Sequence, residues 1–571
     1  MVSASSTALS NPFVLFNVIL ILFALIHSAS AASPDDWRDR SIYQLITDRF
    51  ARTDGSTDAL CDTQAKKRCG GSWRGIIDHL DYIQDMGFTA VWISPVVKGV
   101  DSPLAGENYH GFWQQDVTQL NSHFGTDEDL KDLSKALHDR GMFLMVDILM
   151  NNLAWPGPGS SVDYAQFPAP FNQKSSFHTY CPITNYTDPT DYQQCWLGND
   201  EVSLADINTE SPVIRKFFQD WANDFIQKYA IDGFRIDATK HVRKDFWEDF
   251  HDHVQNTYTI GEVYTEVPSE ACEYMVHGLD AVLNFPLLYR IVEIFAHPEN
   301  PAGNLQGTLD DLKANCTDTT LLGTFSENHD LPRFGSAIQD ISNRKNAIVY
   351  AMLGDGIPVG YYGQEQEFVG GSDPDNREAL WTSGYDTTSP LYQMTKRINL
   401  ARNWFVRWEK SPQYNGYWRH KSKLVYSDNN VVATRKGFDM SLVSIVTNKG
   451  STAPDFGPLT ISDTNWKDGL PIVDVLSCQT TKTGAYGSFL TTLTKGEPQV
   501  RLDTAHLLPN VMLTINQVWI PIDMAGADLE KICPSTNASP LSPATTGDAS
   551  VAGPRFILSL ACIAMTFAAI L

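Results

Sequence analysis

The chain has 571 residues and a formal net charge of −24, with 43% hydrophobic and 11% aromatic residues. This composition is typical of a globular protein that is long enough to form a large core and more than one domain. The acidic balance, which no basic stripe interrupts, excludes a nucleic-acid partner and favours a neutral substrate.

The first 31 residues have the pattern of a secretory signal peptide. An apolar run over residues 12–26 is followed by HSASAAS, which places small residues at a cleavage point near Ala31 or Ala32. The segment before the run lacks Lys and Arg, so only the amino terminus is positive there. An uncleaved membrane anchor is the alternative interpretation. The cleavage point favours the signal peptide.

The other end of the chain has the pattern of a GPI-attachment signal. Residues 536–549 are rich in Ser, Thr, Pro and Ala, and residues 550–571 end in an apolar run that is short for a membrane span. We therefore expect a stalk with the attachment region, a removed tail and a protein anchored through GPI to the plasma membrane or cell wall. A plain C-terminal membrane helix is the alternative, and the absence of any residue after the run disfavours it.

The cysteines indicate disulfides rather than a metal site. Nine are present, and Cys562 lies in the tail that we expect to be removed, which leaves an even number. An even number in a secreted chain favours disulfides over metal thiolates. Sequons predict glycosylation at Asn185 and Asn537, whereas the sequon at Asn315 adjoins a predicted disulfide. The remaining cysteines fall in sequence-local pairs: Cys61/Cys69, Cys181/Cys195, Cys272/Cys316 and Cys478/Cys533.

Short β-branched or apolar runs alternate with helical stretches along most of the chain. The runs are SIYQLITDRF, FTAVWISPV, MFLMVDIL, IDGFRIDA, YTIGEV, LDAVLNF, TLLGTFSENHD and GIPVGYYG. Amphipathic segments such as DEDLKDLSKALHDRG lie between them. Eight strands that each precede a helix predict an α/β fold, a (β/α)8 TIM barrel formed by residues 32–152 and 208–413.

Two regions depart from this alternation. Residues 153–207 contain many Pro and Gly, show little periodicity and are too long for an ordinary connection, so we expect a small inserted domain after the third strand. Residues 414–535 contain segments such as KLVYSDNNVVATRKG, with hairpin-like spacing and turn residues. This region predicts a C-terminal antiparallel β-sandwich domain.

Several acids stand at the predicted C-terminal ends of the barrel strands, where the active sites of this fold lie. Asp147 is on the third strand, Asp237 ends the fourth, Glu262 the fifth and Asp330 follows the seventh. A single acid of this kind is explained by a helix cap or a salt bridge, but several converging on one mouth do not fit that explanation. Paired carboxylates among Arg, His and aromatic side chains are what glycoside cleavage requires.

The motifs GFRIDATKH, GEV and FSENHD resemble the second, third and fourth signature regions of the α-amylase family of retaining glycosidases, and DILMNN resembles the first. The segments DWRDRSIYQLITDRFARTDGS, YHGFWQQD and GGSDPDNRE are similar to secreted fungal α-amylases. The resemblance covers residues 35–533. It implies endo-acting cleavage of α-1,4-glucans such as starch or malto-oligosaccharides.

The resemblance also implies a role for each matching residue. Asp237 would be the nucleophile that forms a covalent glycosyl–enzyme, and Glu262, with a raised pKa, the general acid and then the general base. Asp330 would be the third acid, which holds sugar hydroxyls. Arg235, on the same side of the same strand as Asp237, would keep that carboxylate ionised. The other implied substrate-binding residues are His110, Phe112, Trp113, Asn152, Lys240, His241, His329, Asp373 and Arg377.

Phe112 and Trp113 would supply the surface on which a sugar ring stacks. The relatives usually have Tyr at the position of Phe112, so one hydroxyl is lost here. Plain core packing is the alternative explanation for both rings.

The family binds one structural Ca²⁺ where the inserted domain meets the barrel, and the resemblance implies the same here. The implied ligands are the side chains of Asn151, Gln193 and Asp206 and the main-chain oxygen of His241, because a hard cation prefers oxygen. Gln193 stands where relatives commonly have Glu, so we expect Ca²⁺ to be retained with weaker affinity. Ordinary turn or cap chemistry is the alternative for Asn151 and Asp206.

Asn152 stands where the family nearly always has a His that donates a hydrogen bond to the sugar at the cleavage point. Asn is shorter and cannot be protonated. We expect the chemistry to survive, with transition-state binding weaker by about 1–3 kcal/mol if a bond is lost. We also expect the glycosyl–enzyme to react with a glucan acceptor in competition with water.

Two alternatives to this transglycosylating hydrolase stay open. One is a dedicated 4-α-glucanotransferase that acts on fungal cell-wall α-glucan, and the other is an inactive glucan-binding wall protein. The intact acids disfavour the second alternative. We expect a monomer by default.

Overall fold

The computed structural model describes residues 32–254, 257–409, 416–438 and 442–503. The predicted signal peptide, stalk, GPI-attachment region and tail lie outside these ranges, as do Cys533 and Asn537. Among the helices within the ranges, none has the length and apolar character needed to cross a membrane.

Parallel strands form the centre of the fold. The strands up to residue 409 are β1 (Ile42–Leu45), β2 (Ala90–Ile93), β3 (Val97–Gly99), β4 (Gln114–Leu120), β5 (Phe143–Leu149), β6 (Asn152–Trp155), β7 (Leu197–Gly198), β8 (Ser203–Asp206), β9 (Gly233–Asp237), β10 (Tyr258–Gly261), β11 (Ala281–Val282), β12 (Gly323–Thr324) and β13 (Ile357–Tyr361). One sheet has the order β11-β10-β9-β5-β2-β1-β13-β12, with parallel pairing throughout. A parallel bridge between Leu283 and Gly323 brings its two edges together. The predicted TIM barrel is confirmed, and each predicted run contains one of its strands.

Helices follow the barrel strands along the chain. They are α1 (Pro34–Arg38), α2 (Thr47–Phe50), α3 (Trp73–Asp78), α4 (Leu80–Asp85), α5 (Asp127–His138), α6 (Pro189–Tyr192), α7 (Pro212–Tyr229), α8 (Lys244–His251), α9 (Pro268–Val276), α10 (Phe285–Ala296), α11 (Asn304–Asn315), α12 (Phe334–Ala337), α13 (Ile341–Leu353) and α14 (Pro390–Glu409). Local sequence sets their starts: Thr126 and Asp129 form a capping box at α5, and Pro212 begins α7.

The barrel strands divide the core into two layers. In β2, Ala90 and Trp92 belong to the cluster inside the barrel, whereas Val91 and Ile93 pack with the residues that face the helices. This division follows from the alternation of side chains along a strand. Because both faces are buried, the barrel strands have few polar residues, and the exceptions carry information about function.

The segment between β5 and α7 forms its own small sheet. Strands β6, β8 and β7 pair antiparallel. The Cys181–Cys195 disulfide cross-links the long connection between β6 and β8. The rest of the segment contains α6 and three 3₁₀ turns, Gly159–Ser161, Tyr164–Gln166 and Lys174–Ser176. The insertion predicted after the third barrel strand is therefore a folded unit.

The C-terminal part is antiparallel, as predicted. Its strands are β14 (Lys423–Ser427), β15 (Val431–Lys436), β16 (Leu442–Thr447), β17 (Phe456–Ile461), β18 (Pro471–Asp474), β19 (Thr480–Lys482), β20 (Phe489–Leu493) and β21 (Gln499–Asp503). A six-stranded sheet, β14-β15-β16-β21-β18-β19, packs one face on the β17-β20 pair through residues such as Ile445, Ile461 and Phe489. Its other face packs on the barrel core, where Asn346 of α13 accepts a hydrogen bond from the Thr447 amide (2.7 Å).

The structure confirms the disulfides Cys61–Cys69, Cys181–Cys195 and Cys272–Cys316. Cys478 is also in a disulfide, and its predicted partner Cys533 lies outside the described residues.

A histidine–carboxylate pair ties α5 to the start of β9. His138 Nε2 lies 2.8 Å from Asp232 Oδ2, which also accepts a hydrogen bond from the Leu144 amide of β5 (2.7 Å). The hydrogen bond to Asp232 raises the pKa of His138 above its usual value, with Asp139 adding in the same direction. The pair therefore stabilises the fold fully below the unfolded pKa of about 6.5 and loses this effect as the pH rises through the folded value.

We predict that His138→Gln lowers the melting temperature more at pH 5.5 than at pH 8.5. The measurement is thermal unfolding of the variant and the parent at both pH values, with exposed His123→Gln as the matched control. An equal loss at both pH values would contradict the proposed origin of the effect.

Candidate active site

One buried guanidinium holds three carboxylates at the mouth of the barrel. Arg235, on β9, donates from Nη1 to Asp237 Oδ1 (2.6 Å) and to Asp147 Oδ1 and Oδ2 (2.9 and 3.1 Å). Its Nη2 lies 3.3 Å from Glu262 Oε1. Trp92 of β2 donates its indole N–H to Asp147 (3.2 Å). Strands β2, β5, β9 and β10 therefore contribute to one cluster, which follows from the convergence of strand ends in a barrel.

The charges of this cluster are unequal. Burial is the main cause that raises the pKa of Asp237 well above its usual value, and Arg235 acts in the opposite direction. Burial also raises the pKa of Asp147 to about 7. Arg235 thus lowers the pKa of Asp237, as expected, but burial raises it by more. Because three carboxylates share one cation, a proton retained among the acids reduces their repulsion, and a general acid needs such a proton.

Glu262 is fixed from the neighbouring strand. Its Oε2 accepts a hydrogen bond from the backbone N–H of Ala238 (2.8 Å), which directly follows Asp237. The Glu262 carboxylate is therefore fixed both to the backbone after β9 and to Arg235. Because Asp237 contacts the same guanidinium, the two carboxylates are held near one another.

Asp330 lies on the opposite side of the mouth, among groups from the seventh and eighth strands. Its Oδ1 is 3.5 Å from Arg377 Nη2, and its Oδ2 is 3.4 Å from His329 Nε2. Arg377 also pairs with Asp373 (3.0 Å). Gln44 Nε2 lies 2.7 Å from His329 Nδ1, and because the amide N–H₂ only donates, the histidine proton belongs on Nε2, which faces Asp330. The sequence-predicted His329, Asp330, Asp373 and Arg377 thus form one group.

Phe112 is packed between two histidines. Its ring is stacked on His329 (centroids 5.0 Å apart, planes at 9°) and on His110 (5.8 Å, 20°). Trp113 meets the His110 ring edge-on at 4.8 Å. Burial lowers the pKa of both histidines well below the usual value, so the stack is neutral. Phe112 and Trp113 are nevertheless only half-buried, so part of each ring stays accessible beside this packing.

Lys240 and His241 follow β9 at the border with the insertion. Lys240 Nζ lies 5.2 Å over the Tyr192 ring and 4.0 Å from Glu270. His241 donates from Nδ1 to the Tyr192 carbonyl (2.8 Å) and meets the exposed ring of Tyr186 edge-on at 6.2 Å. Both residues therefore lie where the insertion covers the barrel, on the side of Glu262 and the loop after β10.

The predicted Ca²⁺ ligands converge where the insertion joins the barrel. One atom of the buried Asn151 amide lies 3.1 Å from the His241 carbonyl oxygen and 3.2 Å from Asp206 Oδ1. With nitrogen there, the amide donates two hydrogen bonds. With oxygen there, three oxygens converge with no hydrogen between them, which is the donor set that suits a hard cation. The donor chemistry of Asn151, Asp206 and His241 therefore fits Ca²⁺.

Gln193 is at the edge of this oxygen set. Its Nε2 donates to the carbonyl of Lys240, the residue before His241, at 3.4 Å. Within the described ranges, the structure groups no three His, Cys, Asp or Glu side chains in a way that would hold a metal. A cation at Asn151 would instead depend on amide and main-chain oxygens. Asn185, the predicted glycosylation site, is exposed in the insertion, where its side chain bonds Thr187 (2.7 Å).

Asn152 is buried beside Asn151 and is incompletely paired. In the orientation that turns the Asn151 oxygen toward Asp206, Asn151 Nδ2 donates to Asn152 Oδ1 (3.3 Å). Asn152 Nδ2 is buried, and no hydrogen-bond partner for it is found in the part of the chain that the structure describes. A buried donor without a partner costs free energy, and a bound ligand can relieve that cost.

Sequence analysis missed two residues that fix this site: Gln44 sets the His329 tautomer, and Trp92 bonds Asp147. Tyr109 belongs to the YHGFWQQD segment that the sequence pointed to, and its hydroxyl lies 3.4 Å from Asp373 Oδ1. Gln44 was detectable as an isolated polar residue in the apolar run of β1. Trp92 gave no such signal, because aromatic residues are common in buried strands.

Comparison with known proteins agrees with this site. Residues 44–431 match the α-amylase catalytic domain, and residues 424–510 match α-amylase domain C. α-Amylase 1 of Schwanniomyces occidentalis is 46% identical over 472 residues, which is 82% of this chain and 90% of that protein. An α-amylase structure from Malbranchea cinnamomea has 45% identity and a TM-score of 0.80, covering 83% of this chain and 98% of that one. The Geobacillus thermoleovorans α-amylase, in complex with acarbose, has 27% identity and a TM-score of 0.69, covering 81% of this chain and 98% of that one.

The barrel and its acidic mouth define a glycoside hydrolase. The chain belongs to the α-amylase family, with the catalytic domain and domain C of that family.

Proposed function

We propose that this α-amylase-type glycoside hydrolase is a retaining, endo-acting enzyme on α-1,4-glucans that also transfers its glycosyl group to a glucan acceptor. The observation that carries the proposal is the placement of Asp237 and Glu262 on one buried guanidinium. Of two carboxylates held in this way, one can attack the anomeric carbon while the other protonates the leaving oxygen. Acarbose in the Geobacillus relative supports a glucan as the substrate.

In the proposed reaction, a carboxylate oxygen of Asp237 attacks the anomeric carbon while Glu262 gives its proton to the leaving glycosidic oxygen. The glycosidic bond breaks as the ester bond to Asp237 forms. Glu262, now ionised, accepts a proton from water or from a sugar hydroxyl, whose oxygen attacks the same carbon and releases Asp237. Each step inverts the anomeric carbon, so the product keeps its original configuration.

The groups around Asp330 would hold the sugar whose bond is cleaved. Asp330 and Asp373 offer carboxylate oxygens to hydroxyls, and Arg377 holds both of them. His329 and His110, kept neutral by burial, can act as hydrogen-bond donors, and Phe112 presents its ring edge between them. The two neutral histidines can thus orient the ring without adding positive charge near the oxocarbenium-like transition state, and the charge of Arg377 is paired with Asp330 and Asp373.

Transfer is supported by Asn152 and by the predicted anchor. Asn152 provides an amide donor where relatives have a titratable ring. If the site with Asn152 activates water less effectively, the glycosyl–enzyme reacts more often with a sugar acceptor. A GPI anchor, indicated by the sequence pattern alone, would place the enzyme at the cell surface, where polymeric acceptors have a high local density. The same substitution favours the second candidate, a 4-α-glucanotransferase that acts on wall α-glucan.

Products both shorter and longer than the substrate are expected when the enzyme is incubated with a single malto-oligosaccharide such as maltoheptaose. Chromatography over time gives product lengths, and NMR of the first products gives the anomeric configuration, expected to be α. Asp237→Asn removes the nucleophile and should abolish both product classes, whereas exposed Asp252→Asn is the matched control. Only shorter products would indicate a simple hydrolase, and no products would indicate a binding protein.

Asn152→His should shift the reaction from transfer toward hydrolysis. A change of about tenfold in the ratio of transfer to hydrolysis corresponds to one hydrogen bond of about 1.4 kcal/mol in the competing transition states. The ratio is measured from initial product lengths at fixed substrate concentration. Asn315→His, the same substitution on the exposed end of α11, is the control, and an unchanged ratio in Asn152→His would contradict the role of Asn152.

We also propose that one Ca²⁺ binds to Asn151, Asp206 and the His241 carbonyl, with Gln193 beside them. When bound, the ion neutralises the oxygen cluster and fixes the insertion to the loop after β9; it takes no part in bond cleavage. A bound ion would also favour the orientation in which the Asn151 oxygen faces Asp206. In that orientation Asn151 Nδ2 donates a hydrogen bond to Asn152 Oδ1.

Chelation with EDTA should lower the melting temperature, and added Ca²⁺ should restore it. Gln193→Glu adds a charged oxygen ligand and should tighten Ca²⁺ binding by about tenfold, as measured by calorimetry on the chelated protein. Gln194→Glu adds the same charge at the neighbouring exposed position and should leave the affinity unchanged. Equal affinities of the parent and Gln193→Glu would exclude Gln193 from the site.

A further inference from the structure

A disulfide-closed loop from the first barrel strand reaches the group around Asp373. The loop follows α2, is closed by Cys61–Cys69 and carries Thr63 and Gln64 at its turn. Thr63 Oγ1 and Gln64 Nε2 both donate to Asp375 Oδ1, at 2.9 and 2.6 Å. These bonds join segments that are more than 300 residues apart in the sequence, with separations of 312 and 311.

Asp375 lies midway between the two proposed sugar-binding residues of its segment, Asp373 and Arg377. The inner side of this segment is fixed to the loop after β12: Asn376 Nδ2 donates to the carbonyls of His329 and Leu331, at 2.8 Å each. The outer side is held at Asp375 by Thr63 and Gln64. The segment is therefore fixed from both sides, and only the outer attachment comes from the disulfide loop.

Arg49 makes a second connection between the same two segments. Its side chain is completely buried and pairs with Asp48 (2.8 Å). Nη2 donates to the carbonyl of Lys67 in the loop (2.8 Å), and Nη1 donates to the carbonyl of Arg377 (3.1 Å). The guanidinium also lies 3.9 Å from the centroid of the Tyr109 ring. One cation thus links the loop to the backbone that carries Arg377.

The side chain of Asp373 lies at the surface of this segment. It is half exposed, and its contacts are Arg377 Nη1 (3.0 Å) and the Tyr109 hydroxyl (3.4 Å). An exposed carboxylate with two contacts has freedom to move unless the backbone beneath it is held. A displacement of about 1 Å in a group that orients substrate can lower turnover by about a hundredfold.

We propose that Thr63 and Gln64 are positioning residues, which hold Asp373 and Arg377 in register with the sugar at the cleavage point through Asp375. The loop touches no reacting atom in this assignment and acts only through the segment that it braces. The inference rests on the proposed sugar-binding role of Asp373 and Arg377. It adds a determinant of donor-side binding that lies outside the signature motifs.

The test is a double-mutant cycle between the loop and Asp375. Thr63→Val with Gln64→Leu removes both donors, Asp375→Ala removes the acceptor, and the combined variant removes all three groups. We expect each change to lower kcat/KM on maltoheptaose by about fivefold, the scale of a weak hydrogen bond, and the combined variant to lose no more than either alone. Asp375→Asn keeps the acceptor oxygen and should restore most of the activity.

Three further readouts separate positioning from a general loss of structure. The melting temperatures of all variants should stay close to that of the parent, and the ratio of transfer to hydrolysis should be unchanged, since the brace lies on the donor side. Leu60→Ala, at a fully exposed position beside Cys61, is the control on the same loop and should behave as the parent. Acarbose affinity, measured by calorimetry, should fall in parallel with kcat/KM.

Additive losses in the cycle, or parental kcat/KM in the loop variant, would overturn the proposal. So would losses that follow the melting temperature. Acarbose binding distinguishes failure of this proposal from failure of the proposed function. If the protein cleaved no glucan, the acarbose affinities of the variants would still show whether the loop affects ligand binding. If the protein were active but the losses were additive, the proposed function would stand and the positioning role of Thr63 and Gln64 would not.

Discussion

The site depends on a single buried positive charge. Arg235 is almost inaccessible, and its guanidinium contacts Asp147, Asp237 and Glu262 from three different strands. Three carboxylates at such short distances would repel one another strongly without a cation, and one buried cation would be costly without carboxylates. The barrel fold removes both the repulsion and the cost of the buried cation, because its strands place the carboxylates and the guanidinium together at one mouth. Burial raises the pKa of Asp147 and of Asp237, while Arg235 limits that effect at both carboxyls.

The two adjacent asparagines lie in one short segment but have different surroundings. Asn151 faces the oxygens of Asp206 and His241, whereas the buried Asn152 Nδ2 has no hydrogen-bond partner among the described residues. The bond from Asn151 to Asn152 exists only in the orientation that a cation would favour. The orientation of the Asn151 amide therefore decides whether Asn152 Oδ1 receives a hydrogen bond from its neighbour.

Sequence reasoning succeeded where the signal was local. Apolar runs and amphipathic segments gave the order of strands and helices, because side-chain periodicity depends only on neighbouring residues. The acids were found because a carboxylate in or beside an apolar strand is rare. Gln44 was overlooked although it carried the same kind of signal. Arg49 and Asp48 could not be assigned, since an Asp-Arg pair at the start of a helix has an ordinary explanation as a cap or an exposed ion pair.

The sequence by itself determined the barrel, the insertion, the antiparallel C-terminal region and the identity of the acids at the strand ends. Only the tertiary structure decided that Arg235 also contacts Asp147 and Glu262, that Gln44 sets the proton on His329, and that Thr63 and Gln64 meet Asp375. The physical reason is that such contacts join residues that are tens to hundreds of positions apart, and their geometry depends on barrel closure and loop packing rather than on any local pattern. The balance of burial against charge at Asp237 is also tertiary, since it depends on how completely the surrounding strands exclude water.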